Sequence, residues 1–304
     1  MSLEHLTIAC IGLGRMGAGI ARNLQASGCR CVVYNRTLAR MEPFVAGGAM
    51  PARTAREAAA GADFAVTSLM DDQSVLDTLS GEDGILAGLL PGAVHIGTST
   101  ISPSCSTRCA ALHQQHGSHY LAAPVFGRPE AAAAGKLFTF VSGEPEIIER
   151  ARPILAAYTQ SAQALGEDPA AAASLKLAGN FFGASLLEVL GEAFALAEKR
   201  GVLLPLANML KGFLPPMAEY IDRVANRNYE QPGFTLDAGL KDVRLILEAA
   251  GEVHVPLPFA SVIRDKCLAA QAHGLSQQDW CSFTEIARLN AGLPRKSANE
   301  AEIR

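Results

Sequence analysis

The sequence predicts an α/β protein: a mainly parallel sheet wrapped by helices in residues 1–165, followed by an all-α domain in residues 166–304. Three observations carry this expectation. Short β-rich apolar runs alternate with helical stretches through the first half, which implies parallel strands joined by right-handed crossovers. A glycine cluster directly follows the first of those runs. Beyond about Leu165 the chain turns to long apolar helical runs punctuated by Gly and Pro, with few convincing strands.

The first strand is LTIACIG, and RMGAGIARNLQASG is the helix that returns across the sheet. CRCVVYN is the second strand, and a helix is expected near Leu38 to Ala46. Further strands are read in DFAVTSLM, AVHIGTS, HYLAAPV and KLFTFVSG, with helix-like segments between most of them. The segment Gly166 to Pro169, GEDP, opens the helical half with acidic residues and a proline in the first turn.

Composition narrows the function classes. A chain of 304 residues that is 49% hydrophobic can fill two cores. With 26 basic and 30 acidic residues, and no Lys/Arg run, nucleic acid is not an expected partner. The N-terminus enters LTIACIGLG within five residues, leaving no room for a secretory signal. The most apolar segment, Ala170 to Leu187, carries Ser174, Lys176, Asn180 and Ser185, which argues against a membrane span. A cytoplasmic protein without a membrane partner is the expectation. Seven cysteines without a CxxC read as reduced, mostly buried thiols. Cys105, Cys109, His113 and His116 share a helix face, but four ligands strung over roughly 16 Å of helix cannot converge on one ion, so no metal is expected.

Gly12-Leu13-Gly14-Arg15-Met16-Gly17 sits between a strand and a helix, the context in which G-x-G-x-x-G marks a dinucleotide site. Gly12 permits the tight turn, Gly14 lets the backbone approach a pyrophosphate, and Gly17 lets helix pack on strand. The helix N-terminus then offers N–H groups to the phosphates. The second strand ends in Asn35-Arg36-Thr37, where a carboxylate would bind the ribose of NAD. No carboxylate stands there, and Arg36 can pair with a 2'-phosphate, so NADP(H) is expected over NAD(H).

Between Asp168 and Glu188 the only charged residue is Lys176, with Asn180 one turn later on the same helix face. An amine in apolar surroundings suits proton transfer near neutral pH. The rival reading has Lys176 snorkelling from a packed helix. Gly179 and Gly183 permit close approach by another helix.

Together these features resemble the β-hydroxyacid dehydrogenase family, over nearly the whole chain. IGLGRMGAGIARNL is similar to its cofactor motif and NRT to its NADP-type strand end. GTSTISP is similar to the substrate-side motif, with Ser99 and Thr100 as its Ser-Thr pair. KLAGN resembles the catalytic-lysine motif, which implies Lys176 as proton donor and Asn180 as its support. FTLDAGLKDVRL resembles the late helix whose Lys-Asp pair is Lys241, toward the cofactor, and Asp242, toward the substrate. Met70, closing the DFAVTSLM run, is placed with the cofactor. The resemblance implies a Rossmann-type first domain, a helical second domain, an active site between them, and a homodimer or homotetramer. It also implies hydride transfer between a nicotinamide and a hydroxy acid or its semialdehyde or keto form, with reduction favoured by NADP(H).

One loop departs from the family pattern. Where Pro-Val-Ser-Gly-Gly is usual, this chain has Pro124-Val125-Phe126-Gly127-Arg128-Pro129, and Gly97 replaces an Asp that is common before the Ser-Thr pair. Phe126, Gly127 and Arg128 are therefore expected at the substrate. Phe126 favours a bulkier or less polar ligand, and Arg128 could clamp a carboxylate. Two rivals follow: an imine reductase on the same scaffold, which usually lacks the lysine, and a catalytically silent NADP-binding sensor or scaffold.

Overall fold

The computed structural model describes residues 3–294 and divides into two compact units, residues 1–177 and 178–304. The division falls inside a long helix, later than the change in sequence character at 165/166.

The first unit is built in the order β1 (Thr7–Ile11), α1 (Arg15–Ala26), β2 (Arg30–Tyr34), α2 (Glu42–Ala46), β3 (Met50–Pro51), α3 (Ala55–Ala59) and β4 (Phe64–Thr67). It continues with α4 (Asp72–Leu79), α5 (Ile85–Gly88), β5 (Val94–Gly97), α6 (Pro103–His116), β6 (His119–Ala122), β7 (Val125–Phe126) and α7 (Pro129–Ala133). β8 (Leu137–Ser142), α8 (Pro145–Tyr158) and β9 (Thr159–Gly166) complete the sheet. Its order is β3-β2-β1-β4-β5-β6-β8-β7, with β9 paired to β8. The pairings from β3 through β6 are parallel, while β8 runs antiparallel to both β6 and β7. This is the mainly parallel, helix-covered sheet that the alternating pattern implies.

Strand periodicity divides the core in two. Along β1, Ile8 and Cys10 join Ile20 and Leu24 of α1 on one face, while Ala9 and Ile11 join Ala55, Ala58 and Ala59 of α3 on the other. Three details differ from the sequence expectation. The stretch near Leu38 to Ala46 is a 3-10 turn (Leu38–Arg40) followed by α2, because Pro43 permits a helix start but not continuation through it. HYLAAPV splits into β6 and β7. β9 has no alternating apolar pattern because most of it is exposed, so the sequence does not announce it.

α9 (Pro169–Lys199) starts after Asp168, whose carboxylate accepts from Ala170 N–H at 2.9 Å. Its first turns belong to the first unit: Ala172 lies in the sheet's core, its N–H donates to Ser142 Oγ at 2.9 Å, and Ser106 Oγ donates to the Pro169 carbonyl at 2.6 Å. That anchoring carries the first unit past residue 165. By length and composition α9 is the one described helix apolar enough to cross a membrane, and its Ala172, Leu187 and Phe194 are buried in protein cores.

The second unit is helical, as expected, in all its described elements. After α9 come α10 (Leu203–Phe213), α11 (Ala218–Ala225), α12 (Leu236–Glu252), α13 (Pro258–Ala272) and α14 (Glu285–Asn290). Leu187, Leu190, Phe194, Leu240, Val243, Ile263 and Phe283 form its core.

Candidate active site

The glycine turn joins β1 to α1. Gly12 has φ +88, and a Cβ there would lie 2.4 Å from the Ser68 carbonyl oxygen. A Cβ on Gly17 would lie 1.9 Å from the Gly12 carbonyl oxygen, so both positions exclude a side chain. Gly14 differs: a Cβ there would meet nothing nearer than Arg40 Nη1 at 3.9 Å, which leaves the space above the turn open. α1 begins with no capping side chain and no acidic residue in its first turn, so its leading N–H groups are left to an anion. These features fit a dinucleotide pyrophosphate. Arg15 is exposed and Met16 half-buried beside the turn.

Asn35 ties the turn to β2, accepting from Leu13 N–H at 2.9 Å and donating to the Thr37 carbonyl at 3.0 Å. Arg36 and Thr37 are exposed. Arg40, which sequence reasoning did not select, approaches the phosphate turn from the 3-10 segment; its exposed cationic side chain four residues after Arg36 was the available signal.

At the ends of β4 and β5, Ser99 is buried and its Oγ accepts from Leu69 N–H at 2.8 Å, which leaves its O–H to donate elsewhere. Met70, next to Leu69, is 58% exposed, and Thr100 is half-buried.

Lys176 is only 8% exposed. Its Nζ lies 4.1 Å from the centroid of the Phe126 ring, so the Pro124 to Pro129 loop and the lysine come together within the first unit. Phe126 is half-buried and makes an edge-to-face contact with Phe140 at 6.1 Å. Gly127, at φ +131, provides the turn that releases the chain from β7 into α7. Arg128 turns toward its own helix: its Nε lies 3.7 Å from Glu130 Oε2, and its side chain is 14% exposed.

Asn180, one turn beyond Lys176 on α9, donates from Nδ2 to Asp242 Oδ2 at 2.6 Å. Asp242 is 2% exposed, and its Oδ1 lies 2.6 Å from Lys241 Nζ. The carboxylate thus holds both the amide and the ammonium.

A buried polar chain was missed altogether. Thr67 Oγ1 bonds His95 Nε2 at 2.8 Å, His95 Nδ1 bonds His113 Nε2 at 2.9 Å, and His113 Nδ1 bonds Ser118 Oγ at 2.8 Å. Burial holds His95 down at about 3. Burial, helped by the neighbouring histidines, holds His113 at about 2. Both imidazoles are therefore neutral core groups. With Cys105 and Cys109 also buried, the α6 face packs against the sheet.

A parallel sheet with a glycine turn at the N-terminus of its first helix, followed by a helical unit, defines a nicotinamide dinucleotide-binding oxidoreductase. The model of the NAD-binding domain of 6-phosphogluconate dehydrogenase matches residues 7–166. That of the NAD-binding region of NADP-dependent 3-hydroxyisobutyrate dehydrogenase matches residues 170–287. The chain belongs to the β-hydroxyacid dehydrogenase family, of the 3-hydroxyisobutyrate dehydrogenase type.

An uncharacterized oxidoreductase of Bacillus subtilis is 40% identical, covering 93% of this chain and all 100% of its own. The 3-sulfolactaldehyde reductase of Escherichia coli is 32% identical over 95% of this chain and 98% of its own. The structure of Mycobacterium tuberculosis 3-hydroxyisobutyrate dehydrogenase with L-serine is 29% identical, with a TM-score of 0.82 over 93% of this chain and 99% of that one. An imine reductase from Bacillus cereus is 25% identical, with a TM-score of 0.58 over 92% and 98% of the two chains.

Proposed function

We propose that this oxidoreductase is an NADP(H)-dependent reductase that converts the carbonyl of a small aldehyde or keto compound into an alcohol, with Lys176 as general acid. The observation that carries the reading is Lys176 itself: a cationic side chain 8% exposed, on a helix start pinned to the sheet by Ser106 and Ser142. A group held this firmly suits proton delivery better than a solvated lysine does.

The nicotinamide, when bound, supplies the hydride to the carbonyl carbon. Gly12 to Gly17 hold the pyrophosphate on backbone N–H groups, and Asn35 keeps the turn in register with β2. Arg36 supports the choice of NADP(H), since no carboxylate stands in Asn35-Arg36-Thr37, and Arg40 approaches Gly14 of the turn. Met70 and Lys241 are the further cofactor contacts. As hydride arrives, Lys176 Nζ gives its proton to the carbonyl oxygen. Asn180 has committed one N–H to Asp242, so its other N–H and its carbonyl oxygen are free to orient the substrate. Ser99 and Thr100 supply further donors to the substrate.

The protein works as a homodimer or homotetramer through its helical unit. Phe182, Val189 and Leu196, seven residues apart on α9, are 66%, 56% and 65% exposed, and an apolar stripe of that kind suits a second copy.

Stopped assays with NADPH and NADH against a panel of semialdehydes and keto acids test the reading. Turnover faster with NADPH, lost by about 10²–10⁴-fold in Lys176→Ala while cofactor binding persists, is expected. Turnover that survives Lys176→Ala unchanged would remove the lysine from its role, and binding without any turnover would favour a silent sensor. Phe126 supports one second reading, an imine reductase, because it brings an apolar ring to the reacting group; reduction of cyclic imines in preference to every carbonyl would establish it.

A further inference from the structure

Phe126 is the place where the chain's own chemistry says more about the substrate. Its ring covers one face of the Lys176 ammonium, which is itself 8% exposed, at 4.1 Å from centroid to Nζ. The Phe126 backbone is tied into the sheet. Phe126 pairs with Phe138 across β7 and β8, packs edge-on against Phe140, and is followed by Gly127, whose φ of +131 fixes the turn. On the preceding side, Thr139 Oγ1 donates to the Pro124 carbonyl at 3.0 Å.

A carbonyl oxygen that takes a proton from Lys176 must come within about 3 Å of Nζ. An oxygen that reaches Nζ past the edge of the ring brings its carbonyl carbon, and the substituent on that carbon, against the ring. The face of an aromatic ring carries negative charge density and offers no hydrogen-bond donor. A carboxylate held against that face would lose water and gain no hydrogen bond from the ring, whereas an alkyl or aryl group would gain apolar contact.

We infer that Phe126 is the specificity-determining residue of this enzyme and that its substrates carry an apolar group on the carbonyl carbon, with any acidic group farther away. The inference rests on the reductase reading with Lys176 as acid.

Glyoxylate and isobutyraldehyde form a matched pair, since a carboxylate and an isopropyl group have the same branching beside the same aldehyde. With the purified full-length chain and NADPH, isobutyraldehyde should have the higher kcat/KM by about tenfold or more. Phe126→Ser should move that ratio toward glyoxylate by about tenfold, mainly through KM, while Phe126→Leu keeps the preference for isobutyraldehyde. An unchanged ratio in Phe126→Ser, at wild-type melting temperature and NADPH affinity, overturns the inference. So does a wild-type preference for glyoxylate. Should Phe126→Ser fail to fold, Phe126→Thr, which also replaces the ring with a hydroxyl and suits a strand, must shift the ratio in the same direction, and no shift is equally fatal. Failure of the reductase reading looks different: the wild type would then oxidise neither NADPH nor NADH with either aldehyde.

Discussion

Two glycine-bearing loops of the first unit are built on opposite principles. In the turn Gly12 to Gly17, two of the three glycines are required by backbone: carbonyl oxygens stand 2.4 Å and 1.9 Å from where Cβ atoms would be. In the loop Pro124 to Pro129, the single glycine meets mostly side chain, the nearest atom being Leu137 Cδ2 at 2.8 Å, and the business end is an aromatic ring against Lys176. Recognition of a shared cofactor rests on the main chain, which leaves little freedom to change. The second loop rests on side chains, which can be exchanged without moving the backbone.

The largest expected effect strikes both loops together, because they hang from one sheet. His95 and His113 are held neutral far below the ordinary 6.5. In the unfolded chain they take up protons as pH falls through about 6.5, whereas the folded unit does not until pH approaches 3. Stability is therefore complete above about pH 6.5 and falls below it, by up to about 2.7 kcal/mol per pH unit for two such groups. Acid melts should show cofactor binding and Lys176-dependent turnover lost in one transition. A stability unchanged between pH 7 and 4.5 would mean the pair is not buried neutral in solution.

Next in size, Gly17→Ala forces a Cβ onto a backbone oxygen and should cost about 2 kcal/mol or more of stability together with most NADPH affinity. Gly127→Ala should spare cofactor affinity and raise KM for the carbonyl substrate, since its strain lies in the other loop. If both variants hurt NADPH binding alike in fluorescence titrations, the two loops are not separable. Arg36→Ala should raise the KM for NADPH by about tenfold and leave that for NADH nearly alone. Equal changes would end the case for the 2'-phosphate. Smallest is Arg128→Ala. With its guanidinium already 3.7 Å from Glu130, the loss should raise KM for an acidic carbonyl substrate by only about threefold over a neutral analogue. A far larger difference would restore Arg128 as a carboxylate clamp.

Much of the machinery was legible because it is local. The Gly12 to Gly17 turn, the Asn35-Arg36-Thr37 strand end and the isolated Lys176 are each recognisable within a few residues, since strand, turn and helix geometry fix what neighbours in sequence can do. The start of α9 at Pro169 was legible for the same reason. β9 was not, because an exposed strand lacks the alternation that burial imposes. The His95–His113 pair was not, because 18 residues separate two imidazoles that only packing brings within 2.9 Å.

The sequence by itself thus determined the class: a parallel sheet followed by helices, a dinucleotide turn, and a lysine set apart from other charge. It also showed that the Pro124 to Pro129 loop departs from the pattern of the family it resembles, since Phe126 and Arg128 stand where a serine and a glycine are customary. Only the tertiary structure decided where those side chains go. It turned Phe126 onto Lys176 and Arg128 onto Glu130, and it set Asp242 behind Asn180 and Lys241. Side-chain direction depends on what surrounds the loop from distant parts of the chain, and no short stretch of sequence contains that information.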